Sequence, residues 1–124
     1  MEKKVIIVGA GLVGSLWAVY MQKAGFNVTI YERRPDIREA EISAGKSINL
    51  ALSNRGWKAL RNAGVEEEVR KIAIPMPGRI MHDLDGELTY QPYGKKDEAI
   101  YSVSRGHLNA IMMDIAENKG HAKI

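Results

Sequence analysis

The run Gly9-Ala10-Gly11-Leu12-Val13-Gly14 constrains this chain more than any other feature, because of what flanks it. Before it stands Val5-Ile6-Ile7-Val8, a continuous β-branched stretch of the kind expected in a strand covered on both faces of a parallel sheet. After it, Leu12, Leu16 and Tyr20 form one stripe four residues apart, and Val13, Trp17, Met21 and Ala24 form a second, so a broad helical face is expected to Gly25. Asn27-Val28-Thr29-Ile30-Tyr31 is a second β-rich run. Strand, helix and strand within so short a span imply a parallel crossover. In that context G-x-G-x-x-G is a dinucleotide loop: Gly9 for the tight turn, Gly11 for close approach of a diphosphate, Gly14 for close packing of helix on strand. The diphosphate would face unpaired N–H groups and the positive end of the helix dipole.

Glu32 follows the second strand, eighteen positions after Gly14. An acidic side chain there can accept hydrogen bonds from adenosine ribose hydroxyls and would repel a 2′-phosphate. FAD or NAD is therefore favoured over NADP, although Arg33 and Arg34 leave NADP open.

Composition narrows the remaining classes. With 124 residues, 45% hydrophobic and 27% charged, the chain suits one compact domain and can supply a core. It has no cysteine, so disulfide frameworks, thiolate metal sites and thiol nucleophiles are excluded, and a reducing cytoplasm fits. The net charge of +3 is spread along the chain, which suits a small anionic ligand and argues against nucleic acid as a partner. No apolar run forms a secretory leader or a membrane segment. His82, His107 and His121 lack metal-ligand spacing and are expected at the surface or at a helix start, so no metal is proposed.

Farther along, residues 33–46 read as a loop and Ser47–Leu52 as a strand with Ile48, Leu50 and Leu52 on one side. Ser53 is expected to cap a helix with Trp57 and Leu60 in its core and Gly64 as its stop. Glu66, Glu67 and Glu68 open a further helical piece as a solvated start, with possible pairs Glu66 to Arg70 and Glu67 to Lys71, ended by Pro75 and Pro77. Asp85-Gly86 between Arg79–Leu84 and Glu87–Gln91 predicts a hairpin with a type I′ turn. A short strand is expected near Ala99–Val103. Leu108, Ile111, Met112, Ile115 and Ala116 then mark a helix capped by Ser104 and ended by Gly120. Ala122-Lys123-Ile124 reads as the first residues of a strand returning to the sheet, so the chain is expected to be an N-terminal portion of a longer protein or an unusually reduced homologue.

Beyond these patterns, VIIVGAGLVGSLWAVYMQKAG, IYERRPD, GKSINLALSNRGWKAL and GRIMHDLDGELTYQPYGKKDEAIYSVSRGHLN together resemble the N-terminal part of the kynurenine 3-monooxygenases, which are class A FAD-dependent aromatic hydroxylases. The glycine loop is shared by many flavoproteins; SINLALSNRG, QPYG and YSVSR followed by LN are more particular. The resemblance implies an α/β, Rossmann-like FAD-binding unit with an inserted antiparallel hairpin. It places FAD on Gly9, Gly11 and Gly14, its adenosine ribose on Glu32, and Arg33, Ala51 and Arg105 along the cofactor. Arg79 and Tyr93 fall where the family binds the carboxylate of L-kynurenine, and NADPH and O₂ are implied as co-substrates. No side chain of the segment is expected to be a catalytic acid or base.

The division expected is a Rossmann-like part over residues 1–75 and 99–124, with a substrate-side hairpin over 78–92. The family's later motifs lie outside the 124 residues, so the chain alone is expected to be inactive. Two other readings share the loop: an NAD-dependent dehydrogenase or different flavin oxidoreductase, and a non-catalytic nucleotide-binding module.

Overall fold

The computed structural model describes residues 2–39 and 48–124. The expected loop at 33–46 is described only as far as residue 39, and Ser47 also lies outside the described residues. Strand β1 (Lys4–Val8) leads through the glycine loop into α1 (Leu12–Lys23), and β2 (Asn27–Tyr31) pairs with β1 in parallel, with Val5 opposite Val28 and Ile7 opposite Ile30. Val28 and Ile30 are almost fully buried. Burial of side chains of this size stabilises by about 1.5–3 kcal/mol each. Near the last described residues, Lys123 pairs with Thr29 in parallel: Ile30 N–H donates to the Lys123 carbonyl at 2.7 Å and Lys123 N–H to that of Val28 at 3.2 Å. The chain thus returns to the sheet, as expected of Ala122-Lys123-Ile124, and does so alongside β2.

Helix α1 lies on this sheet through small residues. Ser15, Ala18 and Val19 are its buried positions, whereas Leu12, Leu16, Tyr20 and Met21 are half-buried and Val13 and Trp17 exposed. The second expected stripe is therefore only partly a core face. The sheet differs likewise from expectation: Ile7 is buried, but Ile6 and Val8 are 68% and 87% exposed, so the described residues cover one face only.

Between β2 and the last helix the chain builds an antiparallel sheet that the sequence patterns did not announce. Its strands are β3 (Asn49–Leu52), β4 (Ile74–Met76) and β7 (Ile100–Ser104), with β7 in the centre. Pro75, expected only to stop a helix, lies in β4 at the sheet edge, where its missing N–H is tolerated. Helices α2 (Asn54–Ala63) and α3 (Glu66–Arg70) connect β3 to β4. Ser53 does occupy the N-cap of α2, but its side chain makes no capping bond; Gly64 ends the helix with left-handed backbone, as expected.

The acidic opening of α3 is not merely a solvated helix start. Glu66 accepts from both Arg61, at 2.7 Å, and Arg70, at 2.6 Å, tying α2 to α3. Glu68 pairs with Lys119. Arg70 lies over the Trp57 ring at 4.5 Å, and Trp57 meets Tyr101 edge-on at 5.2 Å.

Strands β5 (Gly78–His82) and β6 (Leu88–Pro92) form the expected hairpin, standing apart as a two-stranded sheet with its side chains largely exposed. Its turn is not type I′, which needs positive φ at both central residues. Gly86 has φ +83° and Asp85 does not share that region. Gly86 N–H donates to the Asp83 carbonyl at 3.2 Å, and the Asp83 side chain accepts from the N–H groups of Asp85 and Glu87. This is a three-residue loop with a glycine bulge, a common alternative for the same residues.

Ser104 caps α4 (Arg105–Asp114) by accepting from His107 N–H at 3.4 Å, and the helix runs into one π-helical turn, Ile115–Lys119, before Gly120. Leu108, Met112, Ile115 and Ala116 are buried as expected, and Asn109 and Met113 join them. Gln22 of α1 donates to the Ala116 carbonyl at 2.9 Å, and Tyr20 to that of Ala59 at 2.8 Å, so α1 is held between α4 and α2. No helix of the described residues is long and apolar enough to cross a membrane.

Candidate functional site: the glycine loop and Glu32

At the C-terminal end of β1 the backbone turns at Gly9, whose φ of +101° is a region L side chains rarely adopt. Gly11 is the N-cap of α1 and offers no side chain to it, so the first N–H groups of the helix keep no intrahelical partner and no cap. A Cβ on Gly11 would meet nothing within 4 Å, so the loop is open on the side from which a ligand would approach. A Cβ on Gly14 would instead collide with the Gly9 carbonyl oxygen. The helix therefore sits directly against the turn because Gly14 has no side chain.

Beside this loop stands Glu32, immediately after β2. Its Oε2 accepts from Ala10 N–H at 2.8 Å and from the Arg34 guanidinium at 3.1 Å; Oε1 accepts from Arg34 N–H at 2.9 Å and Nε at 3.0 Å. The Arg34 guanidinium first, then the backbone N–H groups of Arg34 and Ala10, hold the Glu32 carboxyl at a pKa of about 2, well below the ordinary 4.5. The acid is thus ionised and joined to the loop by one hydrogen bond. Arg34 is 65% exposed, so its guanidinium can turn aside for hydroxyl donors at small cost.

Two hollows flank this carboxylate. One, of about 330 Å³, is lined by Val8, Gly9, Glu32, Arg33 and Arg34. The other, of about 200 Å³, is lined by Ala10, Glu32, Arg34, Pro35, Ile37, Asn109 and Met113. The wall carrying Pro35 and Ile37 is tied down by Arg38, which donates to Asp36, Asp114 and Glu117, the last at 2.7 Å. Through Arg38, with its side-chain bonds first, the Asp36 carboxyl is also lowered to about 2, from 3.8.

An open glycine turn, an uncapped helix N-terminus and an ionised carboxylate between two hollows fit the diphosphate and adenosine ribose of a dinucleotide such as FAD. Gly9, Gly11, Gly14, Glu32 and Arg33 come together here. Ala51, on β3 opposite Ser102, and Arg105, the first residue of α4, are both exposed and line neither hollow.

Arg79 and Tyr93 lie on the hairpin. Arg79 pairs across the strands with Gln91 and donates to its Oε1 at 2.8 Å. Tyr93 is two residues beyond Gln91, and its N–H donates to the Pro77 carbonyl at 2.9 Å. Alternation puts Arg79, Gln91 and Tyr93 on one side of the hairpin. Tyr93 also borders a hollow of about 530 Å³ with Trp57, Arg70 and Tyr101, which Arg79 does not reach. Among the described residues no group of three or more His, Asp or Glu could hold a metal ion.

Sequence reasoning missed the packing behind the loop. Ser15 donates to the Ala10 carbonyl from five residues away, whereas Asn109 reaches the same carbonyl across 99 positions and Arg38 reaches Asp114 and Glu117 across 76 and 79, too far along the chain for a local pattern to reveal. A polar residue at position 109 inside an apolar helical face was the one available signal.

Comparison with known proteins agrees with this geometry. The family model described as pyridine nucleotide-disulphide oxidoreductase matches residues 4–71, more than half the chain. The chain is 56% identical over 119 residues to a kynurenine 3-monooxygenase of Christiangramia forsetii, covering 96% of this chain and 26% of that protein. It is 49% identical over 114 residues to one of Anopheles gambiae, covering 91% of this chain and 24% of that protein. The chain thus spans about a quarter of the length of the curated relatives it matches and corresponds to their N-terminal part.

Among solved structures, p-nitrophenol 4-monooxygenase from Pseudomonas putida DLL-E4 superposes with a TM-score of 0.73 at 22% identity, over 100% of this chain and 30% of that one. 2-Methyl-3-hydroxypyridine-5-carboxylic acid oxygenase does so with a TM-score of 0.72 at 18% identity, over 96% of this chain and 30% of that one. At these identities the likeness shows the fold, a mixed α/β arrangement of Rossmann type. The family is named partly for disulphide chemistry, yet these 124 residues contain no cysteine, so the dinucleotide loop rather than a redox disulphide carries the match. By its glycine turn, its acid after β2 and the family model spanning both, the chain belongs to the pyridine nucleotide-disulphide oxidoreductase family.

Proposed function

We propose that this chain is the FAD-binding part of a kynurenine 3-monooxygenase, which hydroxylates L-kynurenine with NADPH and O₂. The observation that carries the reading is the hydrogen bond from Ala10 N–H to Glu32, which sets an ionised acid beside the glycine turn as a dinucleotide requires. The relatives' printed name supplies the substrate, and the identity of 56% over 96% of the chain supports carrying it over.

In this reading the N–H groups opening α1 hold the diphosphate, with Gly9, Gly11 and Gly14 keeping that approach open. Glu32 accepts from the adenosine ribose hydroxyls once Arg34 has moved aside, and Arg33, Ala51 and Arg105 lie along the rest of the cofactor. Residues 1–75 and 99–124 form the dinucleotide-binding part, and the hairpin 78–92 is the substrate side. Arg79 binds the carboxylate of L-kynurenine through two parallel hydrogen bonds, and the Tyr93 hydroxyl adds a third. Their position on one side of the hairpin supports this pairing, with Gln91 releasing Arg79 to the ligand.

Bound FAD supplies two-electron transfer from NADPH and activation of O₂ for insertion of one oxygen atom into the aromatic ring. One oxygen atom enters 3-hydroxykynurenine and the other leaves as water, with NADPH and one proton consumed. The chain's own contribution is to orient: Arg79 and Tyr93 anchor the amino-acid end away from the ring that reacts.

The test is NADPH oxidation by the complete protein with FAD. L-kynurenine is expected to stimulate it and to yield 3-hydroxykynurenine. An oxidation rate indifferent to L-kynurenine would overturn the substrate assignment.

A further inference from the structure

Only Ser15 and Asn109 are buried polar residues among those described, and both donate to the same atom. Ser15 Oγ donates to the Ala10 carbonyl at 3.2 Å and Asn109 Nδ2 at 3.0 Å, across 99 positions of sequence. On the other side of the Ala10 Cα, Ala10 N–H is held by Glu32 at 2.8 Å. The two peptide units that join Gly9 to Gly11 are therefore both fixed from outside the loop. Asn109 does this at a cost, since its Oδ1 is buried with no partner. A buried acceptor left without a donor loses its hydration with nothing in return, which destabilises the fold. The remaining contact of Nδ2 is with Met113 Sδ, at 3.4 Å. An apolar side chain would fill this site without that penalty, so the amide is not explained by stability.

We propose that Asn109 is a cofactor-positioning residue: by gripping the Ala10 carbonyl it sets the orientation in which the glycine loop presents its N–H groups to the diphosphate. The inference rests on the FAD reading above and adds to it a residue of α4, a helix remote in sequence from the loop. A loop with free rotation about Ala10 would spread those N–H groups over several orientations, and affinity depends on holding them close to the productive one.

The test compares Asn109→Leu and Asn109→Asp with the wild type in the complete, flavin-stripped protein. Urea unfolding reports stability, and titration with FAD and with ADP reports affinity. Asn109→Leu is expected to leave stability unchanged or raised while weakening both ligands by a similar factor, five- to twentyfold, because ADP shares the diphosphate and lacks the flavin. Asn109→Asp has nearly the same shape but can donate to the carbonyl only when protonated. Its affinity, relative to wild type at each pH, is expected to recover between about pH 8 and about pH 5, since burial raises a carboxyl pKa. A merely structural role moves stability and shows no such recovery.

Unchanged FAD and ADP affinities in both folded variants would overturn the inference and leave the FAD reading intact. Weakening of FAD alone would also overturn it. If Asn109→Leu fails to fold, the pH profile of Asn109→Asp decides alone. Failure of the wild-type protein to bind either ligand would overturn the FAD reading, and this inference with it.

Discussion

Alanine at Gly14 and alanine at Gly11 should do opposite things, although both remove a glycine from one loop. At position 14 the new methyl group runs into the Gly9 carbonyl oxygen, with the carbonyl carbon at 3.1 Å and Ile7 Cγ2 at 3.4 Å behind it. None of these is the end of a flexible side chain, so α1 must withdraw from β1. Overpacking costs about 1–3 kcal/mol, at the upper end where backbone must move. Exchange of Gly for Ala within a helix returns about 1 kcal/mol, which leaves a net loss of about 2 kcal/mol.

At position 11 the methyl group meets nothing within 4 Å, and the backbone φ of −73° suits alanine. The weaker N-cap costs no more than about 1 kcal/mol. That methyl group stands where the diphosphate would approach, so FAD affinity should fall at least tenfold. Urea unfolding of the flavin-free protein and FAD titration of the same samples measure the two effects. Gly11→Ala proving the more destabilising, or binding FAD as wild type does, would refute the reasoning.

Other expectations follow from the same geometry. Glu32→Gln removes the charge that accepts ribose hydroxyls; charge-assisted bonds contribute about 1.5–3 kcal/mol each, so FAD affinity in a fluorescence-quenching titration should fall ten- to a hundredfold. Glu32 and Asp36 are both depressed to about 2, from 4.5 and 3.8, so their stabilisation is complete above the ordinary values and is lost as pH falls toward 2. Acid unfolding followed by circular dichroism should show that loss in the wild type and a shallower one in Glu32→Gln. Arg79→Ala should raise the KM for L-kynurenine at least tenfold while FAD affinity stays within twofold, since Arg79 lies on the hairpin and not at the glycine loop.

The parts of the fold readable from sequence are those whose signal is local. The β-branched run before Gly9, the stripes of α1 and the apolar spacing from Leu108 to Ala116 are local patterns, and each marked its strand or helix, although the second stripe of α1 is only partly buried and the last spacing runs from α4 into the π-helical turn. Glu32 was legible because its distance from the glycine loop is set by one crossover. The sheet of β3, β7 and β4 was not, because its central strand lies about fifty residues from β3 and no periodicity in β3 names its partner. Asp85-Gly86 supports more than one hairpin loop, and the Asp83 side chain favoured the bulged form. Ile6 and Val8 carry the composition of a strand with two covered faces, but the described residues cover only one. Asn109 and Arg38 matter for what they touch, and those contacts cross most of the chain.

The central claim is that the opening of α1 holds the diphosphate of an adenine dinucleotide. Titration of the flavin-stripped complete protein with FAD and with riboflavin tests it most directly, since riboflavin carries the ring system without the diphosphate or adenosine. FAD is expected to bind saturably at one equivalent with a shifted visible spectrum, and riboflavin far more weakly. Equal binding of the two, or no binding of FAD, would contradict it.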